Sequence, residues 1–130
     1  MNGPRRTTNT PTVTYKPFDV VVVPFPFTDS AAAKRRPALV LSASRFQDRI
    51  SHVVLAMITS RENRGWPLDV PLTNLRAAGL PHDSVVRMKI FTLDERFVLR
   101  KAGGLAKADC ASVHRSLKLL LPLEPDQQTS

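Results

Sequence analysis

The sequence predicts a small, mostly β domain in which an antiparallel, strongly bent sheet or barrel is closed by one C-terminal helix. Short β-branched and apolar runs, separated by turn residues, recur up to residue 101. Beyond that point the apolar residues follow helical spacing. The chain has 130 residues, of which 42% are hydrophobic, so it has the size of one domain and enough apolar residues for a packed core. We therefore expect five to seven strands and no internal repeat or dividing linker.

Both ends of the chain are expected to lie outside this domain. Residues 1–17 are rich in Thr, Pro and Asn and contain three cations but no acid, which is typical of a flexible basic arm. No apolar stretch follows its arginines, so the arm does not have the pattern of a secretory signal peptide. The domain is expected to span 18–122, and residues 123–130 are expected to form a tail.

The first two strands are bounded by prolines. Asp19–Val23 is a β-branched run, which predicts a buried strand. Pro24 and Pro26 follow it and cannot donate to a ladder, so they mark an edge or an exit from the sheet. Residues 28–36 are predicted as a loop and residues 37–42 as the second strand.

The middle of the chain alternates apolar strands with short polar segments. Residues 44–48 are expected to form one helical turn. The run HVVLAMIT, over 52–59, predicts a strand that is too apolar to be exposed to solvent on both faces. A polar loop over 61–67 then leads into a short strand over 68–72.

The last part of the chain is predicted to contain two helices and two strands. Residues 73–78 form a short predicted helix that Gly79 closes, and strands are expected over 84–91 and 97–101. The C-terminal helix is indicated by an apolar stripe formed by Cys110, Val113, Leu117, Leu120 and Leu121. Pro122 ends this helix.

The charge of the chain favours an anionic partner. The net charge is +8 and the isoelectric point is about 10.6, which suits nucleic acid, anionic lipid or an acidic protein. No long basic amphipathic helix is predicted, which weakens the lipid reading. The alternative is a basic surface that serves solubility alone.

Several other classes of protein do not fit the sequence. No apolar run reaches the roughly 18 residues of a membrane span, so we expect a cytoplasmic protein that does not contact the membrane. Cys110 is the single cysteine, so neither an internal disulfide nor a Cys-based metal site is expected. His52, His82 and His114 lack metal-ligand spacing, and no nucleotide-binding or metalloprotease motif occurs. We expect neither a metal nor a cofactor.

Three stretches that contain arginine provide the candidate functional residues. In KRRP, Arg36 precedes a proline, which restricts its backbone to the extended region at the root of a strand. In MITSR, Thr59 and Ser60 end an apolar strand and Arg61 follows. In SVVRMK, Arg87 lies inside a strand. Cations rooted in strands beside a hydroxyl suit a phosphate, although a solvated loop and half-exposed strand positions would produce the same pattern.

The order and spacing of these stretches resemble a known family. DVVVVPFPFTD, KRRPALVLS, MITS and then DSVVR with FTLD are similar to the PemK/MazF/Kid toxins of bacterial toxin–antitoxin systems, over residues 18–121. The resemblance implies a small SH3-like barrel of the CcdB/PemK type with a C-terminal helix, usually as a homodimer. It also implies metal-independent, sequence-specific cleavage of single-stranded RNA, often mRNA, by attack of the 2′-OH to a 2′,3′-cyclic phosphate. The implied protein partner is an acidic antitoxin that blocks the RNA groove.

The resemblance assigns catalytic roles by position. The family's arginine before the proline corresponds to Arg36, its strand-end threonine to Thr59, and the arginine of Kid-type members to Arg87. We assign stabilisation of the transition-state charge to Arg36, a second phosphate clamp to Arg87, and a hydrogen bond to the phosphate or the 2′-OH to Thr59. Arginine is a poor general base. His82 and Asp83 are therefore kept as candidates for acid–base work, beside the reading in which they form a polar loop.

Other residues are expected to contact the RNA chain. Trp66, in RENRGWP, is a candidate to stack on an unpaired base; the alternative is that it caps the core or packs in a dimer. The remaining candidate RNA-binding residues are Lys34, Arg35, Ser60, Arg61, Arg64 and Lys89.

The chain departs from the family pattern at several positions. Lys89 stands where Kid-type members carry an acid, and Phe91 replaces an arginine. The loop histidine has no counterpart in DSAAAK, Phe18 replaces a glycine, and Ala106 stands where a helix cap is usual. These departures leave a non-cutting member that binds RNA or antitoxin as the alternative. A gyrase-targeting toxin is a further alternative, but the helix end LKLLLPLEPDQQTS lacks the aromatic residue that is typical there.

Overall fold

The strands and helices follow one another in the order that the sequence predicts. A computed structural model describes residues 13–25 and 34–125. The strands are β1 (Asp19–Phe25), β2 (Lys34–Val40), β3 (His52–Ser60), β4 (Val70–Pro71), β5 (Ser84–Asp94) and β6 (Arg100–Gly104). The helices are α1 (Ser44–Ile50), α2 (Leu75–Ala78) and α3 (Lys107–Leu120), and a single 3-10 turn covers Glu95–Phe97.

The six strands form one sheet that curls into a half-barrel. Their order across the sheet is β4-β5-β3-β2-β1-β6, and each neighbouring pair is antiparallel. The predicted fold, a mostly β SH3-like barrel with a C-terminal helix, is confirmed, with six strands. Within the described ranges, none of the helices has the length and apolar character needed to cross a membrane.

Three strands begin at other positions than predicted, and β4 begins at Val70 instead of residue 68. β2 begins at Lys34 instead of residue 37, because residues 34–36 pair with the end of β1 and so leave the predicted loop. The rest of that loop, 28–33, lies outside the described residues. β6 begins at Arg100 because the 3-10 turn precedes it, and the Asp94 side chain caps this turn by accepting a backbone hydrogen bond.

Both faces of the curved sheet are buried, as the alternation of side chains along β1, β2 and β3 requires. One face packs under α2 and α3, and its buried members include Val20, Leu39, Ala56, Ile58, Val86 and Val113. The opposite face forms a second core, whose members include Val21, Val23, Ala38, Val40, Val53 and Leu55. Burial of each of the larger side chains contributes about 1.5–3 kcal/mol, so the sheet is stabilised from both sides.

Residues 13–17 lie against the second core, where the sequence led us to expect the end of a flexible arm. The Tyr15 side chain is only 7% exposed and packs with that core. The buried amide of Gln47 holds the segment, since its Oε1 accepts a hydrogen bond from Tyr15 N (2.7 Å) and its Nε2 donates to Val13 O (2.9 Å). Packed structure therefore starts before residue 18. The rest of the predicted arm, and the predicted tail from residue 126, lie outside the described residues.

Helix α2 connects the two edges of the sheet. It follows β4, which is at one edge, and packs on β6, which is at the other. The contact needs two glycines: a Cβ at Gly103 would lie 2.4 Å from Ala77 O, and a Cβ at Gly79 would lie 2.1 Å from Ala102 O. Gly79 also has φ of 73°, in the left-handed region that favours glycine. These close backbone contacts hold the sheet in its curved form.

A buried carboxylate anchors the start of α2 to α3. Asp109 is 2% exposed. It accepts hydrogen bonds from the Thr73 backbone N–H (3.1 Å), the Thr73 hydroxyl (2.8 Å) and the Asn74 N–H (3.1 Å). Because α2 leads directly into residues 80–84, this anchor also sets the position of that segment.

Candidate functional site

The hydrogen-bonded ladder between β2 and β3 stops before the two strands end. Its last pair is Ala38 with Met57. The next residue of β2 is Pro37, which has no N–H to donate. Continuing the same register would set Arg36 opposite Thr59, but at this point the strands are no longer paired. The gap between the two strand ends is where the candidate site opens.

A cleft of about 790 Å³ occupies this gap. It lies between the first residues of β2, the last residues of β3 and the segment that leads from α2 into β5. Its lining includes four of the cations and hydroxyls predicted to contact RNA, together with the candidate acid–base pair: Arg36, Thr59, Ser60, Arg61, His82 and Asp83. The fold therefore brings together two motifs that are more than twenty residues apart in sequence.

A side-chain hydrogen bond orients the Thr59 hydroxyl. The Nδ2 of Asn63 donates to Thr59 Oγ1 at 2.6 Å, and Asn63 N donates to Ser60 O at 3.0 Å, which closes a tight turn after β3. Thr59 is 5% exposed. Because its oxygen accepts from Asn63, its own O–H hydrogen points elsewhere and can be donated to a ligand. Asn63 was not predicted from the sequence, although an amide four residues beyond a strand-end threonine is a signal that could have identified it.

The segment opposite Thr59 is held in place by two hydrogen bonds. Arg61 N donates to Asp83 O at 3.0 Å, and Ser84 Oγ donates to His82 O at 2.8 Å. Both bonds use the backbone carbonyls, so the exposed side chains of His82 and Asp83 remain at the cleft wall. The cleft also contains Glu62, so it presents both signs of charge and is not uniformly basic.

Arg87, the predicted second phosphate clamp, is engaged with the loop between β3 and β4. Arg87 is 9% exposed and is not among the residues that line the cleft. Its Nε and Nη2 donate to Asp69 Oδ1 and Oδ2 at 3.1 and 2.9 Å, and Nη2 also donates to Arg64 O at 2.6 Å. A guanidinium with these partners shapes the loop between β3 and β4. Asp69 was not identified from the sequence, since it lies 18 residues from Arg87.

Trp66 is presented at the surface of that loop. Its side chain is 43% exposed, and its backbone N donates to Asp69 Oδ2 at 3.0 Å. The Arg87 guanidinium carbon lies 5.7 Å from the ring centroid and the Lys89 ammonium 5.3 Å from it. Lys89 reaches the ring because the pairing of β3 with β5 shifts by two residues here, which leaves Met88 and Lys89 in a bulge. Exposure on this scale does not fit a tryptophan that caps the core.

The remaining predicted cations are exposed and are not part of the cleft lining. Lys34 and Arg35 are exposed at the start of β2, and Arg64 is exposed on the loop that Arg87 supports. Phe91 packs against the second core. Over residues 13–25 and 34–125, no group of three or more His, Cys, Asp or Glu side chains is arranged to hold a metal ion.

Comparison with known proteins identifies the same family over most of the chain. The family model for the PemK-like, MazF-like toxin of type II toxin–antitoxin systems matches residues 16–121. The structure of MazE–MazF from Deinococcus radiodurans is similar, with a TM-score of 0.69 and 25% identity over 86% of this chain and 100% of that chain. No curated protein sequence matches the chain significantly.

Two mycobacterial structures share the fold at lower identity. The Mycobacterium tuberculosis toxin MazF-mt6 has a TM-score of 0.65 and 21% identity, over 82% of this chain and 99% of that chain. An endoribonuclease in complex with its cognate antitoxin, from a mycobacterial species, has a TM-score of 0.63 and 17% identity, over 86% of this chain and 97% of that chain.

Proposed function

Because the chain belongs to the PemK-like, MazF-like toxins of type II toxin–antitoxin systems, we propose that it is an endoribonuclease that cuts single-stranded RNA in the cleft between β2 and β3. The observation that carries this proposal is the position of Arg36 across the open strand ends from Thr59. A permanent cation and a hydroxyl donor on opposite walls suit a phosphodiester placed between them.

The reaction needs neither a metal nor a nucleophile from the protein. The 2′-OH of the RNA attacks the adjacent phosphorus, the bond to the 5′-oxygen of the next nucleotide breaks, and a 2′,3′-cyclic phosphate forms. The protein has to hold the three reacting atoms in line and stabilise the extra negative charge on the pentacoordinate transition state. It also has to accept the proton of the 2′-OH and to supply one to the leaving 5′-oxygen.

Arg36 and Thr59 perform the electrostatic part of this task. Arg36 stays charged at every working pH, and its forked donors match the non-bridging phosphate oxygens. The Thr59 hydroxyl, oriented by Asn63, donates to one of these oxygens or positions the 2′-OH. Loss of one such preorganised donor typically lowers the rate about 10²–10³-fold.

His82 and Asp83 are the proton-transfer candidates that the cleft itself provides. Both side chains are exposed at its wall, and their backbone is fixed by Ser84 and Arg61. Imidazole is the side chain best suited to exchange protons near neutral pH. We assign the proton transfers to His82, with Asp83 beside it to hold the imidazolium form.

Arg87 acts on this site through the loop that it supports. Its guanidinium holds Asp69 and the Arg64 carbonyl, so it positions the exposed ring of Trp66 and the cation of Arg64. In this proposal Trp66 stacks on an unpaired base, and Arg64 contacts the backbone of the same strand.

The protein partners follow from the family and from the charge. A chain with a net charge of +8 suits an acidic antitoxin that competes with RNA for the same cations. The similar structures include MazE–MazF and an endoribonuclease with its cognate antitoxin. We propose that this chain binds such an antitoxin, works as a homodimer and acts in the cytoplasm.

A non-cutting, RNA-binding member of the family is the second candidate. It is favoured by Lys89, which lies 5.3 Å from the Trp66 ring centroid at the position of the Kid-type acid, and by the engagement of Arg87 with Asp69. In that case the cleft would bind the strand without proton transfer.

A cleavage assay on a long single-stranded RNA in excess EDTA separates the two candidates. Wild type should produce discrete fragments with cyclic-phosphate ends, and Arg36→Ala should reduce the rate about 10²–10³-fold while it remains folded. Arg45→Ala, at the opposite end of β2 on α1, is the matched control for loss of one charge. Full cleavage by Arg36→Ala would overturn the assignment of Arg36. Binding without any cleavage by wild type would establish the second candidate.

A further inference from the structure

A second groove continues from the cleft along the end of the sheet. It has a volume of about 490 Å³ and shares Arg36, Pro37, Leu80 and Pro81 with the cleft. It runs from there across β1 to β6, where Arg100 forms its far wall. The two cavities are therefore adjacent, with Arg36 in both linings, and together they are called the channel below.

The register of the sheet directs two further arginines into this groove. Val22 of β1 pairs with Pro37 on one side and with Arg100 on the other, so these three residues form one row across the sheet. Arg35 lies two residues before Pro37 and so shares its face of the sheet. Arg35 and Arg100 thus flank β1 on the same face, separated by two strand spacings across the sheet and two residues along it, or roughly 12 Å. Both are exposed and both line the groove.

The charge of this groove differs from that of the cleft. Among the described residues that line the groove, three are arginines: Arg35, Arg36 and Arg100. None of the described lining residues is acidic. The cleft contains Glu62 and Asp83 beside its cations. A channel that is mixed in charge at one end and purely cationic at the other suits chemistry at the first end and the binding of an anionic strand at the second.

We propose that the groove is a second phosphate subsite, in which Arg100 and Arg35 hold the internucleotide phosphate next to the one that lies between Arg36 and Thr59. The proposal rests on the proposed function, since it takes RNA as the ligand of the channel. Guanidinium–phosphate contacts carry no base information. The subsite therefore adds affinity and fixes the register of the strand, and it leaves base selection to the other end of the channel.

Binding of an uncleavable RNA tests the subsite separately from catalysis. The probe is a short 2′-O-methyl oligoribonucleotide, measured by fluorescence anisotropy at several salt concentrations with wild type, Arg100→Ala and the control Arg45→Ala. Arg100→Ala should bind about tenfold more weakly, as expected for loss of a charge-assisted hydrogen bond. The slope of log K against log salt should become shallower by about 0.7, the value for one phosphate contact on a single strand. Arg45→Ala should change neither quantity.

Neutral phosphates identify the contact directly. Each internucleotide phosphate of the probe is replaced in turn by an uncharged methylphosphonate. One replacement should weaken binding to wild type about tenfold and weaken binding to Arg100→Ala less, because in that variant only the contact with Arg35 is left to lose. A loss of the same size in both proteins at every position would overturn the subsite.

The remaining outcomes separate this proposal from the proposed function. If wild type cleaves RNA but Arg100→Ala binds the probe like wild type, the subsite is wrong and the nuclease stands. If wild type binds without cleaving and Arg100→Ala binds more weakly, the subsite stands and the nuclease is wrong. Failure of wild type to bind the probe overturns the subsite, and failure both to bind the probe and to cleave RNA overturns both. An Arg100→Ala protein that binds RNA normally but poly-glutamate more weakly would assign the groove to acidic protein and overturn the proposal.

Discussion

The carboxylate of Asp69 binds the guanidinium of Arg87 through two hydrogen bonds, from Nε to Oδ1 at 3.1 Å and from Nη2 to Oδ2 at 2.9 Å. The same carboxylate accepts from Trp66 N at 3.0 Å. One buried ion pair therefore connects strand β5 to the loop that presents Trp66. The side chains of this pair are only 10% and 16% exposed, so solvent screens it weakly.

Asp69→Asn should destabilise the protein and release Trp66. The substitution leaves a nearly buried guanidinium without its counter-charge, which typically costs about 3–5 kcal/mol. Urea unfolding should show a free energy of unfolding lower by about 3 kcal/mol or more. The emission of Trp66, the single tryptophan of the chain, should shift as its ring loses the Arg87 contact.

A double-mutant cycle distinguishes loss of this ion pair from independent destabilising effects of the two substitutions. If the two residues act as a pair, Asp69→Asn combined with Arg87→Met should be no less stable than Asp69→Asn alone, because no buried charge remains to be compensated. Additive losses in the double mutant would contradict the pairing. Asp48→Asn, at an exposed acid of α1, is the matched control and should change stability by less than about 0.5 kcal/mol.

Thr59→Val should lower the cleavage rate about 10²-fold, because it removes the hydroxyl that donates into the cleft and keeps the shape of the side chain. Thr59→Ser keeps the donor and should retain most of the rate. Single-turnover cleavage of a short RNA measures both. Thr59→Val also removes the acceptor of the hydrogen bond from Asn63 Nδ2, and this loss should lower the free energy of unfolding by about 1 kcal/mol.

Asn63→Ala distinguishes a direct role of Thr59 from an indirect one. If the Thr59 hydroxyl contacts the phosphate, loss of Asn63 only relaxes its orientation and should slow cleavage less than Thr59→Val does. Equal losses in the two variants would mean that the hydroxyl serves the turn after β3 and not the substrate.

Most of the fold was predictable because its signals are local. The run Asp19–Val23 has the composition of a buried strand, and Gly79 marks the end of α2 with a left-handed backbone. These signals depend on residues that are close in sequence. The early start of β2 was missed because the pairing of residues 34–36 depends on a partner strand.

The features that escaped prediction depend on long-range partners. The acid nearest to Arg87 in sequence is Asp83, but its ion-pair partner is Asp69, which only the fold brings to it. Tyr15 follows a polar segment, and its burial depends on Gln47 of α1. Arg36 and Thr59 line the same cleft because the proline that follows Arg36 is also the residue at which the ladder stops.

Gly103→Ala should be clearly destabilising, whereas Gly65→Ala should be neutral. A Cβ at Gly103 would lie 2.4 Å from Ala77 O and 2.7 Å from Ala78 C, so α2 would have to move away from β6, at a cost of about 1–3 kcal/mol. A Cβ at Gly65 would meet nothing within 4 Å. Denaturant unfolding of the two variants compares the same chemical change at two positions.

The same pair of variants tests whether α2 positions the cleft. Movement of α2 shifts residues 80–84, which line the wall opposite Thr59. Gly103→Ala should therefore lower kcat/KM for RNA under conditions where the protein is still fully folded, and Gly65→Ala should not. If Gly103→Ala is destabilised but cleaves RNA like wild type, the contact of α2 with β6 contributes to stability and does not position the cleft for cleavage.

Tyr15 should make the protein less stable at alkaline pH. Burial, followed by the negative charges of Asp19 and Glu95, raises the pKa of its phenol above the ordinary value of 10.0. The folded state therefore holds this proton at pH values where the unfolded state has lost it. The resulting stabilisation is complete below about pH 10 and is lost as the pH rises through the higher pKa of the folded state.

Tyr15→Phe removes this dependence, and two measurements check it. Between about pH 9 and about pH 11, the free energy of unfolding should fall more steeply for wild type than for Tyr15→Phe, since phenylalanine has no proton to lose. Tyr15 is the single tyrosine of the chain, so the ultraviolet absorbance of phenolate reports its titration without interference from another phenol. A midpoint at or below the ordinary pKa in the folded protein would contradict the burial of Tyr15. It would then also contradict the packing of residues 13–17 on the sheet, because that burial is what ties the segment to the second core.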